Sequence, residues 1–465
     1  MKNRKALSGL VVAFIVSVLC VSNSFAFNAV ARDDSSRVTV GQNYFGDVLL
    51  GQIYQTNWGY STKIKVINTS STRAVVAKVV FRTVVCSSEI FDFLLYLSPT
   101  DMWEGEVRVN AQGAVEIYST DDSVLASPAF GWDGTAACNP FTGVWASETT
   151  PFRATFSKPS FAASHGDLNT FGHIEVFGMA SYPATAPLDK DSLAIVYGLI
   201  PGLPTLTTDE INSIIACDFN LSGNALDVPN VLTGTISLEN SVYDQTVTTN
   251  MTALQNWENN PLFMSTAAET SIGNSTYNSV VETEAALAKA QYVIPFDFSD
   301  ATGYADIVLV NTLPTLYRGG TGGSGIFTVP GCSFTTCLTG SCTSVPVTGG
   351  LAGLGYRPYD MKETILLSYL SGPASNPPTL PEVSMQPLLP MIQRAVLAGY
   401  TKGWVRVMLP GAGSGLAADG TTRVTFTGAP ILNSYINIYD NGDLDWNHAA
   451  SPESTVTYGG TAVRQ

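Results

Sequence analysis

The chain has 465 residues, with 38 acidic and 23 basic side chains, a formal charge of −15, and only 13% charged residues in all, about half the usual share. That balance disfavours nucleic acid and anionic lipid as partners, since both are held by clustered Lys and Arg. At 45% hydrophobic the chain has the material for a packed core, and disorder is not the default.

Met1–Ala26 reads as an export signal. Lys2, Arg4 and Lys5 are its basic start, Leu7–Cys20 its apolar centre, and Ser24-Phe25-Ala26 a small-x-small cleavage site, with Ala29-Val30-Ala31 as a second. The apolar run is shorter than the roughly 20 residues a spanning helix needs. No later run is longer, so no transmembrane span is expected after cleavage, and the chain is expected outside the inner membrane: periplasmic, extracellular or on the cell surface. Export makes Cys86, Cys138, Cys217, Cys332, Cys337 and Cys342 disulfide candidates whose pairing stays open. The Cys332, Cys337 and Cys342 cluster lacks both a nearby His and the CxxC spacing of zinc sites, so it reads as the staple of a Gly-rich loop.

Val38–Tyr54 opens a first β domain. Ser61–Asn68 alternates polar and apolar residues, and Ala74–Phe81 is a β-branched run after the Thr69–Arg73 turn cluster, a hairpin signal. Phe91–Leu97 and Glu106–Val109 follow at similar spacing. Short strands with turns at regular intervals predict antiparallel sandwiches. Asp121–Pro151 reads as a turn-rich excursion and Thr207–Ile215 as a short helix. The expected division is a signal at 1–26, a first sandwich at 27–205, a linker at 206–228 and a second sandwich at 229–465. The second carries a Gly/Cys-rich and helical insertion at 313–400. It would use Val231–Leu238, Tyr292–Phe298, Ile307–Val310, Trp404–Leu409, Arg423–Phe426 and Ile431–Tyr439. Glu282–Ala290, Met361–Leu370 and the part of Leu380–Gly399 beyond Pro390 are expected to be helical. Gly303-Tyr304 through Asn311-Thr312 echoes Gly59-Tyr60 through Asn68-Thr69, either as a repeat or as shared strand-and-turn grammar. The fold class expected is mostly β: tandem immunoglobulin-like antiparallel sandwiches with long loops and a few short helices.

Catalytic signals are sparse. There are three histidines, His165, His173 and His448, and no GxSxG elbow. Glu104 with Glu106, and Glu282 with Glu284, are neighbours along the chain, unlike glycosidase carboxylates placed across a cleft. Asp440, Asn441, Asp443 and Asp445 surround Gly442 and offer hard oxygen ligands suited to calcium, although Asn441-Gly442 equally reads as a hairpin turn. Calcium is the one cofactor suggested. Trp132, Trp145 and Trp446 lie in loop-like stretches and are candidate glycan contacts. Asn68, Asn220, Asn250 and Asn274 begin glycosylation sequons.

Val66-Ile-Asn-Thr-Ser70, Ala74 through Arg82, Phe91-Asp-Phe93, Leu97-Ser-Pro99 and Asp101-Met-Trp103-Glu-Gly105 together resemble a core shared by uncharacterised exported proteins of Gram-negative bacteria. The resemblance covers some forty residues, implies a surface or periplasmic protein and lends no catalytic residue. Immunoglobulin-like surface modules are a fold-level analogy. The expectation is a non-enzymatic secreted protein of a surface layer or extracellular assembly, whose partners are its own copies or other surface components. A carbohydrate-binding adhesin is the alternative, and an extracellular glycoside hydrolase a more distant one.

Overall fold

A computed structural model describes residues 37–464 apart from 42, 84–88, 128–143, 157–167, 184–226, 243, 258–279, 300–303, 315–331, 339–340, 348–354, 367–382, 410, 418, 442 and 452–454. The first strands are Thr39–Val40 (β1), Val48–Gln55 (β2), Tyr60–Asn68 (β3), Arg73–Thr83 (β4), Glu89–Leu97 (β5), Met102–Val109 (β6) and Val115–Ser119 (β7). Next come Leu125–Ser127 (β8), Val144–Trp145 (β9), Phe152–Thr155 (β10), Phe171–Pro183 (β11), Leu232–Asn240 (β12), Gln245–Asn250 (β13) and Thr252–Gln255 (β14). The hairpin grammar between Ser61 and Val109 thus becomes β3 to β6. In β3 the alternation buries Thr62, Ile64, Val66 and Asn68 and leaves the residues between them half-exposed. β4 and β5 are buried on both faces, which is why they read as continuous apolar runs rather than alternating ones.

These strands form two six-stranded antiparallel sheets, β1-β14-β2-β11-β4-β5 and β10-β7-β6-β3-β12-β13. One apolar core serves both, and at its centre Phe81, Phe91, Phe93, Trp103, Phe152 and Phe156 meet ring to ring. Val231–Leu238, grouped above with the second half, lies in the first half's sheet: Leu232 to Asn240 pairs with Asn68 to Tyr60 in register. β14 likewise sits between β1 and β2. Both first-half sheets are therefore completed by strands from the middle of the chain.

The remainder begins with helix Val280–Leu287 (α1), Ala288–Lys289 (β15), Gln291–Asp297 (β16), Tyr304–Thr312 (β17), Cys332–Leu338 (β18), Ser341–Val347 (β19), Gly355–Asp360 (β20) and Val383–Pro387 (β21). Helix Leu389–Leu397 (α2), Lys402–Met408 (β22), Ala412–Leu416 (β23), Arg423–Thr427 (β24), Ala429–Pro430 (β25) and Leu432–Tyr439 (β26) follow. Leu444–His448 (β27), Thr455–Tyr458 (β28) and Thr461–Arg464 (β29) end the chain. The larger sheets are β16-β22-β20, β21-β17-β26-β27 and β23-β24-β28-β29. α2 begins at Leu389, with Pro390 in its first turn, where the missing N–H has no helical partner to lose. The expected helix over Met361–Leu370 is not formed at its start: 361–366 is a turn whose Ile365 bridges back to Tyr359. The helix expected at Thr207–Ile215 lies outside the described residues.

The chain is mostly β and antiparallel, with two short helices among the described residues. Its sheets form a five-bladed, propeller-like ring rather than two clear immunoglobulin-like sandwiches. A tandem of sandwiches requires each half to complete its own sheets. Here β12 and β14 cross into the first half's sheets, and Thr312 of β17 donates to the Gln52 carbonyl of β2. The Gly59/Gly303 echo survives as two nine-residue strands that each begin with Tyr, but their asparagines act differently. Asn68 Nδ2 donates to the carbonyls of Arg73 (2.8 Å) and Ser98 (2.9 Å), tying two turns together, whereas Asn311 lies within its strand. Asn68 is fully buried, so its sequon is closed in the folded chain.

Candidate functional site

The densest ionisable cluster lies within the first sheet. Alternate residues of β4 place Val75, Ala77, Val79 and Phe81 on one face and Lys78 and Arg82 on the other. Register adds Glu89 and Asp92 from β5 and His173 and Glu175 from β11 to the charged face. All six are at most 5% exposed. Lys78 Nζ is 2.5 Å from Asp92 Oδ2, and Arg82 Nε is 2.6 Å from Glu175 Oε2. Arg82 Nη2 stands 3.8 Å from Glu89, and His173 Nε2 3.7 Å from the second Glu175 oxygen.

Burial pushes the Asp92 carboxyl up to about 8; it outweighs the attraction of Lys78 and is reinforced by Glu89 alongside. The Glu175 carboxyl moves down: burial is the largest influence and opposes this, but Arg82 and His173 together overcome it. Burial lowers His173, keeping its imidazole neutral. These groups face one another inside a sheet and compensate one another's charge, an arrangement that fixes strand register rather than presenting a reacting atom to solvent.

A second polar concentration sits between the later sheets. Asn311 of β17 and Asn433 of β26 are directly opposite each other, so their side chains leave the same face. Asn311 Oδ1 accepts from Tyr292 Oη at 2.8 Å, and Asn433 Oδ1 accepts from Lys289 Nζ. Burial draws the Lys289 ammonium down to about 8. His448, whose Nε2 lies 3.3 Å from Thr249 Oγ1 and whose ring stacks on Tyr44, is lowered by burial and by the Lys289 charge.

No family model, no curated protein and no solved structure matches the chain.

Asp440, Asn441 and Asp443 lie in the exposed turn between β26 and β27, and Asp445 is an exposed residue of β27 opposite Asn437. Asn441 Nδ2 donates to Asp443 Oδ2 at 2.7 Å, and Asn447 Nδ2 to Asp445 Oδ2 at 2.8 Å. Side-chain amides thus serve those carboxylates, and the described residues hold no group of three or more His, Cys, Asp or Glu arranged for a metal. Trp446 is 7% exposed and donates its indole N–H to Ser434 Oγ at 2.7 Å, so it is a core residue rather than an exposed platform. Trp145 is half-buried, edge-on to Tyr96, and Trp132 lies outside the described residues. A half-exposed tryptophan that the sequence reading left unranked is Trp404, stacked on Tyr359 at 4.0 Å and 9° with Arg406 beside both rings. Register puts the two rings opposite each other across β22 and β20, a juxtaposition that needs the pairing as well as the residues.

Cys86, Cys138 and Cys217 lie outside the described residues. Cys332, Cys337 and Cys342 lie on the β18–β19 hairpin, whose register sets Cys337 opposite Cys342. No helix among the described residues is long and apolar enough to cross a membrane. Lys289, Asn311 and Asn433 escaped the sequence reading because they lie on three different strands without a motif. The buried charges left a trace there: Lys78, Arg82 and Asp92 interrupt otherwise apolar runs.

Proposed function

We propose that this is an exported, non-catalytic structural protein that assembles with further copies of itself by pairing sheet edges. The observation that carries the reading is β23. Among the described residues it pairs in a sheet only with β24, at the end of the β23-β24-β28-β29 order, and it exposes Ala412 and Ser414. Its sequence, Ala-Gly-Ser-Gly-Leu, has no Lys, Glu or Pro of the kind that blunts free edges. Glycine is there for close packing: a Cβ on Gly413 would stand 2.1 Å from the Phe426 ring, and one on Gly415 3.1 Å from Val281 of α1. The strand is thereby drawn flat against the sheet and helix beneath it. The inward turning of the ionisable clusters supports the same reading, since neither presents a nucleophile with an adjacent base in an open cleft.

An edge of this kind recruits a strand by backbone hydrogen bonding. The purified mature protein is expected to form concentration-dependent oligomers or filaments, read by light scattering and electron microscopy with and without calcium. Ala412→Lys with Ser414→Lys places two ammonium groups on the edge and should hold the chain monomeric with little change in thermal midpoint. A wild-type chain that stays monomeric at millimolar concentration under both conditions refutes the assembly role.

A further inference from the structure

We infer that the junction of β15, β17 and β26 is a binding site for a compact oxyanion, held by the ammonium of Lys289 and the side-chain amides of Asn433 and Asn311. Lys289 makes its hydrogen bond to a neutral acceptor, Asn433 Oδ1, and no carboxylate of the described residues forms an ion pair with it. This is unusual in a chain where acidic side chains outnumber basic ones 38 to 23, because a cation drawn partly out of solvent is ordinarily paired with a carboxylate. The two asparagines are 1% and 2% exposed. Their oxygens are occupied by Tyr292 and Lys289, while the Nδ2 of each has no hydrogen-bond partner.

What remains at the junction is rich in donors: an ammonium and two amide NH₂ groups from three strands, with both amide oxygens taken. Beside them is the Ser384 hydroxyl, opposite Asn311 on β21 and also without a hydrogen-bond partner, which can donate as well. Buried polar groups are satisfied as a rule, and an unpaired one calls for an occupant. Water would satisfy the amides and leave the cation uncompensated. An oxyanion accepts from all three and neutralises the lysine, making charge-assisted bonds that are shorter and stronger than neutral ones. A second cation is excluded by Lys289. Burial has already pulled the Lys289 ammonium toward neutrality, and the same positive charge bears on His448. Both groups therefore sense whether the site is filled. The site is independent of the β23 edge, so one proposal can fail without the other.

The test reads His448 by proton NMR in the full mature chain at constant ionic strength. The chain has three histidines, and His448→Gln assigns the resonance. Sodium sulfate, phosphate or acetate should raise the His448 titration midpoint saturably, because the bound anion offsets Lys289. A response to sulfate and phosphate alone identifies a tetrahedral ligand; a response to acetate identifies a carboxylate. Lys289→Met should abolish the shift. Asn433→Asp should raise the midpoint without added anion and make it insensitive to sulfate, since the carboxylate then occupies the position. Should these variants not fold, acetylation of Lys289 in the wild-type chain, followed by mass spectrometry, should slow at least several-fold at saturating anion. A His448 midpoint unmoved by all three anions, or moved equally in Lys289→Met, or a Lys289 acetylation rate indifferent to them, overturns the site.

Discussion

Glu175→Gln is expected to cost about 3–5 kcal/mol of folding stability, because it leaves the Arg82 guanidinium buried without its close counter-charge. Arg82 is fully buried, its Nε rests 2.6 Å from Glu175, and Glu89 stands farther off at 3.8 Å. The pair itself adds little net stability, since desolvating two charges offsets most of their attraction; the cost comes from breaking it. Arg82→Met with Glu175→Leu removes both charges and should recover much of the loss. Arg82→Met and Glu175→Leu made singly, with that double variant, form a cycle read by urea unfolding, whose coupling should be strongly non-additive. A loss below about 1 kcal/mol for Glu175→Gln would show that the cluster is solvated.

The same cluster makes stability depend on pH in both directions. Asp92, raised from 3.8 to about 8 in the fold, stays protonated when the unfolded chain has released its proton. Its contribution is full below the unfolded value and declines as pH rises toward 8. Asp92→Asn, which mimics the protonated carboxyl, should flatten that alkaline loss in urea midpoints measured from pH 5 to 9. His173 and Glu175 act oppositely. Both are lowered in the fold, so their contributions are present above the unfolded values of 6.5 and 4.5 and are lost as pH falls through the folded ones. His173→Gln should weaken the acid limb and leave the alkaline limb in place.

How far the sequence reaches is visible in particular strands. β3 was legible because one of its faces is buried and the other half-exposed, so period-two alternation survives in the residues. β12 shows the same alternation and was legible as a strand, but not as the neighbour of β3. Partnership across 162 residues, as between Thr69 and Val231, leaves no mark on either segment alone. The expectation of two sandwiches failed for that reason. Local grammar names strands, while sheet membership depends on which apolar faces find each other after collapse. α2 was legible from its periodicity and prolines. The Asp440–Asp445 stretch was legible as a hairpin turn, and its composition suggested more chemistry than its geometry supplies. The Lys289 junction was not legible at all, because a half-buried lysine and two asparagines become informative only once burial and register show the amides without partners.

Trp103→Ala is expected to cost about 3–5 kcal/mol, the range for losing a fully buried aromatic from a core that relaxes only in part. The indole is wholly buried, 5.4 Å from the Phe93 ring and packed among the phenylalanines that join the two six-stranded sheets. Two residues on, Gly105 lies on the same face of β6, and a Cβ there would stand 2.3 and 2.5 Å from atoms of the Trp103 ring. The Trp103-Glu-Gly105 step is therefore one unit: the indole lies back across its own strand and only glycine leaves it room. Gly105→Ala should destabilise the wild type by about 1–3 kcal/mol, since the ring must leave its rotamer or the strand must shift. In the Trp103→Ala background the same change should cost nothing or be mildly stabilising, because the added methyl enters vacated space and glycine is a weak strand residue. Chemical unfolding of the four proteins closes the cycle, and the coupling should exceed about 1 kcal/mol. Additive losses would mean that the indole does not lie over Gly105, and that the spacing of tryptophan and glycine reflects the strand's turn and not its packing.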